Sequence, residues 1–366
     1  MTRPGACRRW LPAGLALTSW LLCLWVPWLS KSPTHELGGY TDHERHVALS
    51  YLAMRGPAQV YRVPYGELEE RVSFAHTREW PGVTYVYPPG VLVLFAPVAL
   101  AAAWTLPTQE VTAAIAAQWV LLWTHLALWA CFAALAALPP GLRAGTGLLV
   151  WMVLVRAGLC GQVDGLWVGC GAMMVLSLVK ARPGTALVWF GMAAALHYRA
   201  AVLLPLGALA IGEAVKGLPF RRWPRASLLI CLGLCSATLA GFLAALPRAE
   251  TFRNVPPLAT TPGDWLFWLA VGTTIAGMSF CLWTREWLVG AMLLLVGLIS
   301  VHDSRHWWHG VVVAAPLLVA GFRSPSRAPW LVRLVVAGWA LGLQRVFGGR
   351  PLDGFKSVVQ FVSRGG

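Results

Sequence analysis

Charge is what this chain of 366 residues has least of. Only 12% of it is Asp, Glu, Lys or Arg, about half the share found in soluble domains. Acidic groups are scarcest, at 15 Asp and Glu against 29 Lys and Arg, and only five are Asp: Asp42, Asp164, Asp264, Asp303 and Asp353. No Cys-x-x-Cys pair, no His-Glu-x-x-His, no Gly-rich phosphate loop, no internal repeat and no low-complexity tract occurs. This composition excludes a disordered chain, a collagen, a secreted disulfide scaffold and an ordinary cytosolic enzyme. The eight Cys fall mostly inside apolar runs, where a thiol behaves as a small hydrophobe.

What is present is apolar surface. Hydrophobic residues make up 57% of the chain, with 21 Trp among them. A soluble core cannot enclose that much, so the sequence predicts a bilayer as the solvent, with Trp at its interfaces. The formal charge of +14 then reads as topology-setting Arg in short loops, some of it facing lipid phosphates, and not as a nucleic-acid patch.

Arg3, Arg8 and Arg9 precede an apolar run at 11–29 with no small-residue cleavage site after it. The pattern predicts an uncleaved first span over 1–29 with a cytoplasmic N-terminus. Residues 30–87 form the one long polar stretch, expected on the outer face and carrying short interfacial helices. Apolar segments follow at 88–106, 109–138, 144–160, 163–179, 184–196, 199–214, 226–246, 264–283, 286–301, 308–322 and 330–347, and a tail at 348–366 closes the chain. The expectation is therefore all-α: one polytopic membrane bundle of about ten or eleven apolar segments. Lys180 and Arg182, then Lys216, Arg221, Arg222 and Arg225, then Arg323, Arg327 and Arg333 mark cytoplasmic loops. One conflict stays open at this level. Three apolar segments separate the 30–87 loop from Asp164, whereas two points on one face need an even number of crossings.

Five polar clusters interrupt the apolar background. Tyr40-Thr41-Asp42-His43-Glu44-Arg45-His46 suits a helix start, with Thr41 or Asp42 as its cap and Leu49 and Leu52 turned to the membrane. The alternative makes Asp42 a base at the water–lipid boundary. In Tyr85-Val86-Tyr87-Pro88-Pro89-Gly90 the prolines mark a helix start, and the tyrosines suit an aromatic belt or a sugar contact. Gly161-Gln162-Val163-Asp164 puts an acid and an amide at a membrane-embedded turn, as a cap or facing a cavity. His197-Tyr198-Arg199 breaks an apolar stretch; its Arg either snorkels or meets an anion such as a lipid phosphate or Asp164. His302-Asp303-Ser304-Arg305-His306-Trp307-Trp308-His309 is the densest polar cluster. Of the nine His, seven fall in the two expected outer loops, which implies a cavity open to that face. His125 alone sits mid-segment, where a buried hydrogen-bonded ring is the expectation.

In this order the motifs resemble the GT-C superfamily of integral-membrane glycosyltransferases, and within it the bacterial mannosyltransferase-type proteins that use polyprenyl-phosphate sugars. The resemblance rests on Thr41-Asp42 after the first span, Tyr87-Pro88-Pro89, Gly161-Gln162-Val163-Asp164, His197-Tyr198-Arg199 before Leu203-Leu204-Pro205, and the 305–309 loop before Pro316. It covers about residues 10–325. It implies an inverting sugar transfer on the outer face of a bacterial inner (plasma) membrane, with Asp42 as catalytic base and Asp164 as a second acid. It also implies a substrate site drawn from His43, Arg45, His46, Tyr87, Gln162, His197, Arg199, Arg305 and His306. The implied partners are a polyprenyl-phosphate sugar donor, a lipid or glycan acceptor and membrane lipids, with no nucleic acid. The missing phosphate loop favours a lipid-linked over a nucleotide-linked donor. The reading needs no organic cofactor and no metal site, and leaves room for a divalent cation. One departure stands out. The carboxylate that sometimes follows the family's catalytic Asp by one or two residues is here Glu44, with His43 intervening, so the family's usual sugar is not carried over.

Three other readings fit parts of the sequence. A lipid or solute transporter or flippase would explain broken apolar segments, but the polar residues gather at one face instead of mid-membrane. A membrane metalloenzyme would use His43 with His46, or His302 with His306. A lipid-binding relative without activity is a third.

Overall fold

The structure is a computed structural model that describes residues 40–72, 82, 84–85, 87–105, 109–135, 163–216 and 222–245, together with the helical positions Gly14, Leu17, Thr18 and Leu21. Among the described residues every regular element is a helix. We number the α-helices α1 Tyr40–Arg55, α2 Leu68–Arg71, α3 Pro89–Thr105, α4 Gln109–Leu135, α5 Asp164–Val179, α6 Pro183–Leu196, α7 Leu204–Lys216 and α8 Arg222–Ala245. Short 3₁₀ turns at Pro57–Gln59, Tyr65–Glu67 and Tyr198–Leu203 join them.

The boundaries follow from local chemistry. Proline opens α3 and α6, where its missing N–H removes a donor that would be unpaired anyway. Between α5 and α6 the chain reverses within three residues. The Arg182 amide donates to the Ser177 carbonyl at 2.8 Å, and the Ala181 amide to Leu178 at 2.9 Å. These are the two bonds of a Schellman stop. Its left-handed position is occupied by Ala181, at φ 53°.

The helices α3, α4, α5, α6 and α8 carry no Asp, Glu, Lys or Arg through their middles. α3 and α6 have none at all, and in α8 the two arginines, Arg222 and Arg225, lie in the first turn. Their outer faces are apolar too: Val93 is 74%, Trp104 88% and Leu229 69% exposed. A helix apolar on every side belongs in a large core or in lipid. Among the described residues no helix is long and apolar enough to cross a membrane.

The helices alternate in direction, which gives the bundle two distinct ends. α3 and α4 form a hairpin, tied where the Trp119 indole donates to the Leu94 carbonyl at 2.8 Å, in the turn that Pro97 disrupts. α6 is central and packs on α3, α5, α7 and α8. The start of α3 crosses the end of α6 so closely that a Cβ on Gly90 would meet the Ala195 carbonyl. A Cβ on Gly241, late in α8, would lie 2.7 Å from Pro89 Cδ and 2.8 Å from the Tyr61 hydroxyl. The starts of α3 and α5 and the ends of α6 and α8 therefore share one end of the bundle. The opposite end holds Lys180, Arg182, Lys216, Arg222 and Arg225.

Several expectations are corrected here. α1 does not lie with Leu49 and Leu52 turned outward; both are buried, at 0% and 5% exposure, against α3 and α4. The described helix already contains Thr41 and Asp42, so neither is its cap. Tyr85 is fully buried and not part of a surface belt. The expected helix over 199–214 starts only at Leu204, because a 3₁₀ turn precedes it and Pro205 fits a helix start. His125 behaves as expected: buried, with Nδ1 2.7 Å from the Leu121 carbonyl. The segment 1–29, expected to be a first span, is described only at Gly14, Leu17, Thr18 and Leu21. The apolar segments at 144–160 and beyond residue 246 lie outside the described residues.

Candidate active site

The site end is built around rings. His46 leaves α1 toward the start of α3 and is 2% exposed. Its imidazole stacks on Phe95, with centroids 5.1 Å apart, and meets the edge of Tyr87 at 4.8 Å and of Tyr85 at 6.0 Å. One turn on, Ser50 Oγ donates to the His46 carbonyl at 2.6 Å. Tyr87 passes the contact forward. Its ring stands 5.4 Å from that of His197, at 88°. His197 is the extended residue that ends α6, and the Trp167 ring of α5 lies 6.1 Å beyond it. Four separate segments thus meet in one unbroken chain of rings.

Tyr61 fastens the chain from the side. Its hydroxyl donates to the Tyr87 carbonyl at 3.1 Å and sits beside the Tyr198 hydroxyl. Burial raises the Tyr61 pKa, and Tyr198 raises it further. Burial also drives the Tyr85 phenol well above its ordinary value and pushes Tyr198 up to about 12. At neutral pH all three phenols are therefore protonated, serving as hydrogen-bond donors and not as bases. Arg45 is turned to a different neighbour: its guanidinium lies 4.8 Å from the centroid of the Tyr65 ring and is largely buried.

The sequence-selected residues fall into three groups. His46, Tyr87 and His197 are in one contact chain, with Arg45 adjacent on α1. For Asp42, His43, Asp164 and Arg199 the described part is the backbone alone. Asp42 lies one turn before His46, His43 one residue further on, Asp164 one turn before Trp167, and Arg199 two residues after His197. Gln162, Arg305 and His306 lie outside the described residues. Both acidic positions therefore sit one helical turn from a ring of the cluster. Asp164 shares the bundle end of Tyr61 and Tyr87, and the 144–160 segment that the crossing count turns on lies outside the described residues.

Sequence reasoning missed Phe95, Trp167, Tyr61 and Tyr65. Trp167 alone had a local signal, its one-turn spacing from Asp164. The others are ordinary core aromatics until the fold sets them against His46 and Tyr87. Among the described residues no group of three or more His, Cys, Asp or Glu could hold a metal ion.

Only part of the cluster is open. His46, Tyr85, Phe95 and Trp167 are buried, while Tyr87, His197 and Tyr198 are half-buried. The hydroxyl of Tyr198 is itself buried, so the accessible edge offers the His197 imidazole, Tyr87 and apolar ring faces. These groups can donate hydrogen bonds to an oxyanion and stack against a sugar ring. No family model, no curated protein and no solved structure matches this chain.

Proposed function

We propose that this chain is a GT-C-type integral-membrane glycosyltransferase. It moves a sugar, mannose or another hexose or pentose, from a polyprenyl-phosphate donor to a lipid or glycan acceptor. The transfer inverts the anomeric centre, on the outer face of a bacterial plasma membrane. The observation that carries the reading is the Tyr87–His197 contact. It joins motif segments more than a hundred residues apart, with the Asp42 and Asp164 helices arriving at the same end.

The chemistry asks for few parts. Asp42 takes the proton of the acceptor hydroxyl, the freed oxygen bonds to the anomeric carbon, and the bond from that carbon to the phosphate oxygen breaks. The donor carries its own leaving group. The protein must place cations and neutral donors where phosphate charge builds, and His197, Arg199, Arg305 and His306 take that role. Tyr87 flanks the sugar, with the buried Trp167 packed behind His197.

Membrane residence is supported by the uncharged helix interiors and the exposed Val93, Trp104 and Leu229. At 17 residues α3 is about 25 Å long, against about 30 Å of hydrocarbon. Short helices of this kind are accommodated by local thinning and by snorkelling of flanking residues.

Donor binding tests the reading. Purified protein in lipid should bind radiolabelled polyprenyl-phosphate mannose saturably, and His197→Ala should weaken binding about tenfold, in line with the loss of one charge-assisted hydrogen bond. Absence of saturable binding to any polyprenyl-phosphate sugar contradicts the reading. It leaves the transporter and metalloenzyme classes.

A further inference from the structure

The two ends of the bundle differ in charge. At the site end, among the described side chains at the surface, Arg55, Arg62 and Arg71 are balanced by Glu67, Glu69 and Glu70, and Arg71 is paired with Glu67 at 2.8 Å. At the opposite end Lys180, Arg182 and Arg225 are all exposed, with Glu213 the one described carboxylate nearby on α7. The helix register adds Lys216, Arg222 and the acidic Glu110 to that end, which stays basic by five cations to two carboxylates. The 14 residues of α6 separate the two ends by about 21 Å.

This separation comes from the fold, not from the loops alone. The Schellman stop at Ala181 holds Lys180 and Arg182 on one short turn. The first turn of α8 brings Arg225 to the same level, because α8 runs parallel to α6: Gly191 lies against Cys231 midway, and Gly241 reaches Pro89 at the site end. Apolar faces run between the ends, including Leu229, Ile230 and Leu232 just beyond Arg225. Cations directly beside an apolar flank match one partner chemistry above others: phospholipid headgroups whose tails cover the flank and whose phosphates meet the cations.

We infer that the Lys180–Arg182 turn and Arg225 form a contact surface for anionic phospholipid headgroups, on the leaflet opposite the site. The inference rests on the membrane reading given above and deepens it by naming the lipid class at this end. The surface orients the bundle in the bilayer and keeps the charge-balanced end clear of the anionic leaflet.

The test uses the full chain reconstituted in phosphatidylcholine vesicles and in mixed phosphatidylcholine–phosphatidylglycerol vesicles. Spin-labelled lipids report the preference of the protein for phosphatidylglycerol over phosphatidylcholine. Wild type is expected to select phosphatidylglycerol. The triple variant Lys180→Gln, Arg182→Gln, Arg225→Gln should lose about fivefold of that selectivity, and high salt should erode it in wild type. Arg62→Gln, at the site end, should leave it unchanged. Full selectivity in the triple variant overturns the proposal. So does loss of wild-type selectivity to millimolar inorganic phosphate at constant ionic strength, since that would make the site one for a free anion. A chain that floats with neither vesicle type fails the membrane reading itself, and the inference falls with it. A chain that floats normally but shows no phosphatidylglycerol preference refutes the inference alone.

Discussion

Gly90 sits against the carbonyl of Ala195 with no room for a side-chain carbon between them. This crossing brings Tyr87, three residues before Gly90, against His197, two residues after Ala195. A one-carbon change at Gly90 should therefore act on stability and site together. Gly90→Ala meets backbone, which cannot rotate away, and should cost about 3 kcal/mol. Gly233→Ala makes the opposite control, since that position in α8 is open. There the better helix former should be neutral or stabilising by up to about 1 kcal/mol. Thermal unfolding in detergent checks both; equal Tm values for the two variants would contradict the crossing.

Ala181 pays for its left-handed backbone, and the cost is removable. It is exposed and sits where helix stops usually carry glycine. Ala181→Gly should stabilise the chain by about 1 kcal/mol. Ala181→Val should lose at least as much, because a β-branched residue fits that region worse. Denaturant or thermal midpoints of the three proteins give the order directly.

The buried phenols predict a titration. Tyr61, Tyr85 and Tyr198 all have raised pKa values in the folded chain, chiefly through burial. An unfolded tyrosine ionises near pH 10. The stabilising contribution is therefore complete below about pH 10 and is lost as pH rises from there toward the folded values. At about pH 11 the ultraviolet tyrosinate signal should rise on unfolding, as Tyr61, Tyr85 and Tyr198 become free to ionise. Seven tyrosines titrating together near pH 10 would contradict the packing around Tyr85.

Much of the helix layout was legible because it is written locally. The apolar run at 88–106 became Pro89–Thr105, and that at 184–196 became Pro183–Leu196, each opened by proline and free of charge. The motif residues Tyr87 and His197 were legible as polar breaks in that pattern. Their contact was not. It depends on a helix crossing set by Gly90 and by Ala195, and nothing near either residue announces the other. The same holds for α1. Leu49 and Leu52 mark an apolar face in sequence, but whether that face meets lipid or protein is decided by α3 and α4, far along the chain. Phe95 and Tyr61 look like core residues and are core residues; only their neighbours make them part of the site.

The central claim is sugar transfer from a polyprenyl-phosphate donor with Asp42 as base, and transfer itself tests it most directly. Wild type and Asp42→Asn, each reconstituted in lipid, would receive radiolabelled polyprenyl-phosphate mannose and a membrane-lipid acceptor extract. Loss of a general base costs about a hundredfold or more in rate, with folding and donor binding unchanged, because the substitution keeps the size of the side chain. The account predicts a labelled product that forms with wild type and is lost with Asp42→Asn. Equal product from both proteins would contradict it.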